Sequence, residues 1–151
     1  MFGSIPFTPK PVPGNPEAVI ISSSWVQQHI QLTEIPVFHR ASVNKVIAKQ
    51  FGDLWLAWEQ AGLLPLIKTF DGAWAPRFVR GSRSTLSAHS WGTAFDINAR
   101  WNGLGVTPPF VGKEGSVRKL VPLAEQFGFG WGGYYRTRQD GMHFEASKIL
   151  P

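Results

Sequence analysis

The chain contains no cysteine, and this absence removes several kinds of chemistry at once. Without cysteine a protein has no disulfide framework, no cysteine-based zinc finger and no thiol nucleophile. Any site for a transition metal must therefore use histidine, aspartate or glutamate side chains. The 4 histidines and the 10 acidic residues are the candidates for such a site.

Long apolar runs are absent as well. No run of about 18 apolar residues occurs, so no transmembrane segment is predicted. The chain begins MFGSIPFTPKPVPGNP, which lacks the charged segment and the apolar core of a secretory leader. No signal peptide is expected.

Charged residues are few, at 17% of the chain, while hydrophobic residues reach 43% and include 7 Trp and 11 Phe. Disordered chains have the opposite composition, so this chain is expected to fold around a core of its own. A length of 151 residues is typical of a single domain.

Basic residues outnumber acidic ones by 15 to 10, which gives a net charge of +5 and an isoelectric point near 9.9. Such an excess favours an anionic partner, either nucleic acid, a membrane surface or an acidic polymer. The basic residues are scattered, however, and no basic helix or nucleic-acid motif organises them. Nucleic acid is therefore not the expected partner.

Hydrophobic periodicity predicts two helices. Apolar residues recur at three- and four-residue spacing over residues 41–62, where Ser42 can cap the start of a helix and Gly62 can end it. A second helix is predicted over residues 116–126, although it contains Pro122.

Short strands and turns make up the rest of the predicted fold. Four strands are predicted at residues 66–70, 77–80, 93–98 and 142–145. The glycine-rich stretch 128–133 is predicted to be a tight loop. The expected class is α+β, with a small antiparallel sheet packed against helices. Residues 1–20, which are rich in proline, are expected to form an extended arm before a domain over residues 21–151.

A histidine and an aspartate stand seven residues apart in the segment SAHSWGTAFDIN, residues 87–98. Asp96 lies in an apolar strand, where an unpaired carboxylate is costly and needs a cation or several donors. A turn at His89, with Gly92 permitting the chain to reverse, would bring the imidazole beside that carboxylate. This pair is a workable half of a zinc site.

A second group of polar residues follows in the segment DGMHFE, residues 140–145. It offers a third potential ligand, His143, and two more carboxylates, Asp140 and Glu145. Three protein ligands would leave a fourth position open to water, which distinguishes a catalytic zinc from a structural one.

Together the two segments resemble the D-alanyl-D-alanine carboxypeptidase and L-alanyl-D-glutamate endopeptidase family of zinc peptidases. That family includes the vancomycin-resistance D,D-peptidases and several phage endolysins, and it shares its fold with the hedgehog signalling domain. The likeness covers about residues 36–148 and is greatest to short phage or prophage members. It implies that His89, Asp96 and His143 bind Zn²⁺ and that Asp140 is the general base, where several relatives have Glu.

The resemblance also implies an arginine upstream of the first ligand, where it would stabilise the oxyanion. Arg80 is the first candidate and Arg83 the alternative. Ser87 belongs to the first motif and is expected to contact the ligand residues without binding the metal itself. Glu145 would share a strand face with His143 and could support its imidazole, with a plain surface salt bridge as the alternative.

Aromatic residues flank both motifs. Trp91, Trp131, Tyr134 and Tyr135 are candidates to line a substrate groove, although aromatic residues near a site often belong to the core.

The function that the resemblance implies is hydrolysis of peptidoglycan stem peptides by a metallopeptidase. An endolysin-type L-alanyl-D-glutamate endopeptidase of bacteriophage origin is favoured by the short chain and by Asp140. The alternatives are a D-alanyl-D-alanine carboxypeptidase and a zinc-containing binding module without turnover. The protein is expected to be a monomer that stays in the host cytoplasm until it is released to the periplasm or cell wall, or that is carried in the virion.

Overall fold

The computed structural model describes all 151 residues, and its helices and strands form an α+β fold. The helices are α1 (Ser23–His29), α2 (Ala48–Gln60) and α3 (Val121–Gln126). The strands are β1 (Phe7–Pro9), β2 (Val19–Ile21), β3 (Ile30–Ile35), β4 (His39–Asn44), β5 (Phe70–Gly72), β6 (Ala94–Ile97), β7 (Phe129–Trp131) and β8 (His143–Ala146). The predicted fold class is confirmed. None of the helices combines the length and the apolar character needed to cross a membrane.

The strands are arranged in three antiparallel sheets. Two of them are pairs, β1 with β2 and β3 with β4. The third has four strands in the order β5-β6-β8-β7, so the two strands nearest its centre are β6 and β8. This sheet contains both segments that were singled out in the sequence.

Helix α2 packs its apolar face into the main core. Phe51, Trp55 and Trp58 are fully buried on that face. The rings of Phe51 and Trp58 meet Phe95 of β6 edge to face, and that of Trp55 meets it at a tilt. The ring of Phe95 in turn stacks on that of Phe144 in β8, with centroids 5.4 Å apart. Large aromatic side chains contribute much of the apolar area that a small core buries. The helix thus covers one face of the four-stranded sheet and leaves the other face for polar side chains.

The first predicted helix begins later than its sequence pattern suggested. Residues 39–44 form β4, which pairs with β3, and helix α2 begins only at Ala48. Ser42 therefore lies in a strand and caps nothing. Ala41 and Val43 are buried because alternate residues of a strand point into the core. Their apolar positions directly precede those of the helix, so the sequence pattern did not separate the strand from the helix. The predicted end is correct, since Gly62 follows the helix with a φ of 71°.

The second predicted helix is present but composite. Residues 118–120 form a 3₁₀ turn, which leads into α3 at Val121. Pro122 lies in the first turn of α3, where its missing N–H costs no hydrogen bond.

The predicted strands were correct where they carry the polar motifs and less so elsewhere. Strands β6 and β8 match the predictions at residues 93–98 and 142–145. The prediction at 66–70 overlaps β5 only at Phe70, and residues 77–80 form isolated bridges rather than a strand. The glycine-rich stretch is not simply a loop, because it contains β7.

The first twenty residues pack onto the chain just upstream of His89. The pairing of β1 with β2 brings Ile5, Val19 and Ile21 into a second buried cluster with Trp25 and Phe78. The domain boundary predicted at residue 20 falls inside β2.

Candidate metal centre

The register between β6 and β8 places two of the predicted ligands side by side. Asp96 is directly opposite His143, and the neighbouring pair in the register is Phe95 with Phe144. Because side chains alternate across a strand, the phenylalanines point into the core while Asp96 and His143 share the other face. The same alternation puts Glu145 on the face of His143.

The third predicted ligand, His89, comes from a 3₁₀ turn over Ala88–Trp91. Ser87 begins the turn, and its Oγ accepts a hydrogen bond from the backbone N–H of His89 at 3.3 Å. Gly92 ends it with a φ of 71°, a conformation that side chains rarely adopt. A Cβ at Gly92 would lie 2.7 Å from Ile30 Cδ1, so the turn fits against its neighbours only with glycine there.

Three side-chain atoms converge at the point where the turn meets the sheet. His89 Nε2 lies 3.2 Å from His143 Nδ1 and 3.2 Å from Asp96 Oδ2, and His143 Nδ1 lies 3.3 Å from Asp96 Oδ1. All three residues are buried. Two atoms bound at the tetrahedral angle to one zinc ion, with bonds of about 2.0–2.1 Å, are about 3.3–3.4 Å apart. The spacing of this group therefore suits three ligands of a single zinc ion.

Hydrogen bonds behind the two imidazoles fix which nitrogen faces the centre. His89 Nδ1 lies 2.7 Å from the carbonyl oxygen of Ala73, which can only accept, so Nδ1 carries the proton. His143 Nε2 likewise donates to Glu145 Oε1 at 3.0 Å. The same carboxylate oxygen accepts a hydrogen bond from the Tyr135 hydroxyl at 2.6 Å.

In the neutral imidazoles the two nitrogens that face inward are acceptors, and so is the carboxylate of Asp96 between them. Three buried acceptors need a cation or a proton at their centre. Burial raises the pKa of Asp96, but hydrogen bonds from His143 and His89 outweigh it and hold that pKa well below its usual range. Burial lowers the pKa of His143, but hydrogen bonds to Asp96 and Glu145 outweigh it and raise the pKa to about 9. A metal ion at the centre would replace that proton, because metal ligands bind deprotonated.

Asp140 stands next to this group without belonging to it. Its backbone carbonyl accepts from the N–H of His143 at 3.1 Å, and its own N–H donates to the carbonyl of Gly132 at 2.9 Å. The carboxyl oxygen Oδ1 is buried and has no hydrogen-bond partner. Burial raises the pKa of the Asp140 carboxyl. These are the properties of a carboxylate that can accept a proton.

The group lies at the bottom of an open cleft of about 230 Å³. The three convergent side chains and Asp140 share its lining with Ser87, Glu145 and Tyr135. Three arginines also line it, Arg77, Arg80 and Arg138. The cleft thus combines a potential metal site, a carboxylate and several guanidinium groups.

Residues 80–146 match the family model described as D-alanyl-D-alanine carboxypeptidase. The matched segment contains all three convergent side chains as well as Asp140 and Glu145. The match supports membership of a peptidase family and hence a hydrolase. Searches of curated proteins and of solved structures gave no match.

The arginine nearest the metal group is not one of the two that were predicted. Arg77 Nη2 lies 4.0 Å from Asp96 Oδ2. Arg80 lines the cleft, whereas Arg83 does not, and Arg83 Nη1 lies 3.6 Å from Glu17 Oε1. The burial of Phe78 accounts for the position of Arg77, because the residue next to a buried phenylalanine points away from the core.

Three of the four aromatic residues predicted to line a groove lie outside the cleft. Trp131 is buried, and its Nε1 donates to the carbonyl of Gly141 at 2.8 Å. Tyr134 is exposed and rests edge to face on Trp131. Trp91 faces the N-terminal segment, where its Nε1 donates to the carbonyl of Gly3 at 2.9 Å. The aromatic residue that lines the cleft is Tyr135, which is held there by its bond to Glu145.

Proposed function

We propose that the protein is a zinc-dependent peptidase that hydrolyses peptide bonds in the stem peptides of bacterial peptidoglycan. The observation that carries the proposal is the convergence of three buried acceptors whose spacing suits one zinc ion. The family match over residues 80–146 supports peptide-bond hydrolysis as the reaction and peptidoglycan as the class of substrate. Among the members of that class we favour an endolysin-type L-alanyl-D-glutamate endopeptidase of phage origin, released from the host cytoplasm to the cell wall or carried in the virion.

In this proposal His89 Nε2, His143 Nδ1 and the Asp96 carboxylate hold the zinc ion. When bound, the ion would act as a Lewis acid that activates a water molecule and polarises the peptide carbonyl. Ala73 and Glu145 fix the two imidazoles from behind, so the ligand nitrogens need no reorientation when the metal arrives.

Asp140 transfers the proton in this reaction, first as general base and then as general acid. Its carboxylate takes a proton from the attacking water, whose oxygen bonds to the peptide carbonyl carbon. It then returns the proton to the nitrogen of the breaking C–N bond, which leaves as an amine. The raised pKa of this carboxyl suits the first step, because a stronger base accepts the proton more readily.

Arg77 is placed to stabilise the negative charge that develops on the carbonyl oxygen. Its guanidinium lies beside the ligand carboxylate and is about one-third exposed, so it can turn toward a substrate in the cleft. Its backbone is fixed to the turn that carries His89, since Arg77 N–H donates to Ser90 Oγ at 3.0 Å and Ser90 Oγ donates to Arg77 O at 2.8 Å.

A D-alanyl-D-alanine carboxypeptidase is the second candidate, and the two remaining arginines favour it. Arg80 and Arg138 line the outer part of the cleft and are exposed, and Arg138 Nη2 donates to the carbonyl of Arg80. Guanidinium groups bind carboxylates well, and a carboxypeptidase must recognise the carboxylate at the end of its substrate.

The test combines metal analysis with product analysis. Purified protein reconstituted with zinc is expected to hold about one ion per chain, and His89→Ala or His143→Ala should lose both the metal and the activity. Mass spectrometry of muropeptides from digested sacculi identifies the bond that is cut. New amino groups without new reducing sugar ends are expected. Protein that remains metal-free after reconstitution, or that releases reducing ends, would overturn the proposal.

A further inference from the structure

A second depression lies next to the cleft, on the side of the N-terminal segment. It has a volume of about 650 Å³, and it shares Val79, Ala88 and Glu145 with the cleft that holds the metal group. The two depressions are therefore neighbours that have part of one wall in common. Residues 1–4 form the far wall of this second depression.

The chemistry of the second depression differs from that of the cleft. Its lining is mainly apolar and includes Phe2, Val79, Leu86 and Trp91. Its charged groups are the Glu145 carboxylate, whose Oε1 already accepts from His143 and Tyr135, and the amino group of the exposed Met1. The cleft, in contrast, carries three arginines and the acidic residues. A stretch of peptide with apolar side chains suits the second depression better than a highly charged one.

The wall formed by residues 1–4 is held by contacts of Phe2 and Gly3 and by the burial of Ile5, which follows it, while Met1 is exposed. Trp91 Nε1 donates to the carbonyl of Gly3, and Phe2 packs partly buried against the main core. Ile5 follows at once and is buried in the second cluster beside Phe78. Phe78 lies in the chain between Arg77 and Val79, which both line the cleft. Through Ile5 the N-terminal segment therefore packs against the chain that forms this wall of the cleft. A wall fixed in this way is formed before the substrate binds, and preorganisation favours affinity.

We infer that residues 1–4 and Trp91 form a substrate subsite, which binds an apolar part of the peptide on one side of the bond that is cut. The inference rests on the proposed peptidase function and extends it from the metal group to the recognition of substrate. A depression beside the cleft fits a peptide chain that extends beyond the reacting bond.

The experiment compares peptides that differ in length at one end. The short substrate carries the scissile bond alone, and two longer ones add two alanine residues at its amino side or at its carboxyl side. The first variant lacks residues 2–4, so that Met1 precedes Ile5. The second is Trp91→Phe, which keeps a ring but loses the donor to Gly3. Phe110→Ala is the control, because Phe110 is an exposed aromatic residue outside both depressions.

The wild-type protein is expected to have a lower KM for one of the two longer peptides than for the short one. The deletion should raise KM for that peptide about five- to tenfold, the loss expected when roughly 40–50 Å² of apolar contact disappears. The value of kcat, the zinc content and the KM for the other two peptides should change less than about twofold. Trp91→Phe should act in the same direction with a smaller effect, and Phe110→Ala should resemble the wild type.

The possible failures can be told apart. If the wild type cleaves the peptides and both variants keep its preference for length, the subsite is not formed by these residues and the inference is wrong. A deletion variant that binds the longer peptide more tightly would also overturn it, because the segment would then obstruct the depression. A wild type that binds zinc and cleaves none of the peptides overturns the proposed function itself.

Discussion

Asp140 differs from the three candidate ligands in that its buried Oδ1 has no partner, while each of their facing atoms has at least one. This difference separates a base from a ligand. Asp140→Asn removes the ability to accept a proton and nearly preserves the shape of the side chain. We expect the variant to keep its zinc and to lose about 10²- to 10⁴-fold in turnover.

The zinc content and the cleavage rate of that variant are measured together. Asp53→Asn is the matched control, since Asp53 is on α2 and its partner is the exposed Lys49. Loss of zinc would make Asp140 a ligand. An unchanged rate would transfer the role of base to Glu145, and a wild type that holds zinc but turns nothing over would indicate a binding module.

Arg77 and Arg83 offer a second comparison at the level of single side chains. Arg77 lies 4.0 Å from Asp96, whereas Arg83 is directed toward Glu17. If Arg77 stabilises the oxyanion, Arg77→Ala should lower kcat/KM about 10²- to 10³-fold, in the range found when one oxyanion donor is removed. Arg83→Ala should stay within about twofold, since its exposed pair contributes little. Steady-state kinetics of the two variants decide, and equal effects would remove Arg77 from the mechanism.

At the level of secondary structure, the sequence predicted the elements that carry the site better than it predicted the rest. The apolar residues around Asp96 and His143 predicted β6 and β8 correctly, because a short apolar run bounded by turn residues is typical of a buried strand. Strands β1 to β4 were missed, because their pairing joins segments whose local patterns are short or rich in proline.

The same limit applies to the site. The three ligand candidates could be named because their residue types and spacing carry information, and the structure brings them together. Arg77 was assigned no role, since its position depends on the burial of Phe78. Tyr135 could not be told apart from the aromatic residues outside the cleft, since its position depends on its bond to Glu145. Such contacts between distant segments leave no periodic trace in a sequence.

The turn after β7 gives a test of how closely the elements around the site are packed. A Cβ on Gly132 would lie 2.4 Å from the carbonyl oxygen of Asp140 and 3.2 Å from His143 Cβ. Gly132→Ala must therefore displace the segment that carries the base and one ligand. We expect zinc affinity and turnover each to fall at least about tenfold, because small displacements at a reacting centre are costly.

Gly130→Ala is the matched control for this change. A Cβ on Gly130 meets Ser147 Cβ only at 3.8 Å, which is an ordinary contact. Zinc affinity measured by competition with a chelating dye should distinguish the two alanine variants. If Gly132→Ala binds zinc as tightly as Gly130→Ala does, the position of His143 does not depend on this close approach.

At the scale of the whole molecule, the metal group joins parts of the chain that otherwise belong to two clusters. Asp96 and His143 stand on the sheet whose other face enters the main core. The turn of His89 is bonded to residue 77, next to Phe78 of the second cluster. A metal ion bound by all three ligands would therefore link the two clusters, and its binding energy would contribute to the stability of the fold.

This link predicts that zinc raises the melting temperature. A ligand that binds only the folded state at about 100 times its dissociation constant adds about 2.7 kcal/mol to the free energy of unfolding. For a domain of this length about 1 kcal/mol shifts the melting temperature by about 2–4 °C, so a rise of about 5–11 °C is expected. The rise should shrink as the pH falls, because protons compete for the nitrogens of His89 and His143. Calorimetry with zinc and with a chelator measures it, with His143→Ala as the control that should show no shift. Equal melting temperatures of the wild type in both conditions would mean that no ion joins the three ligands.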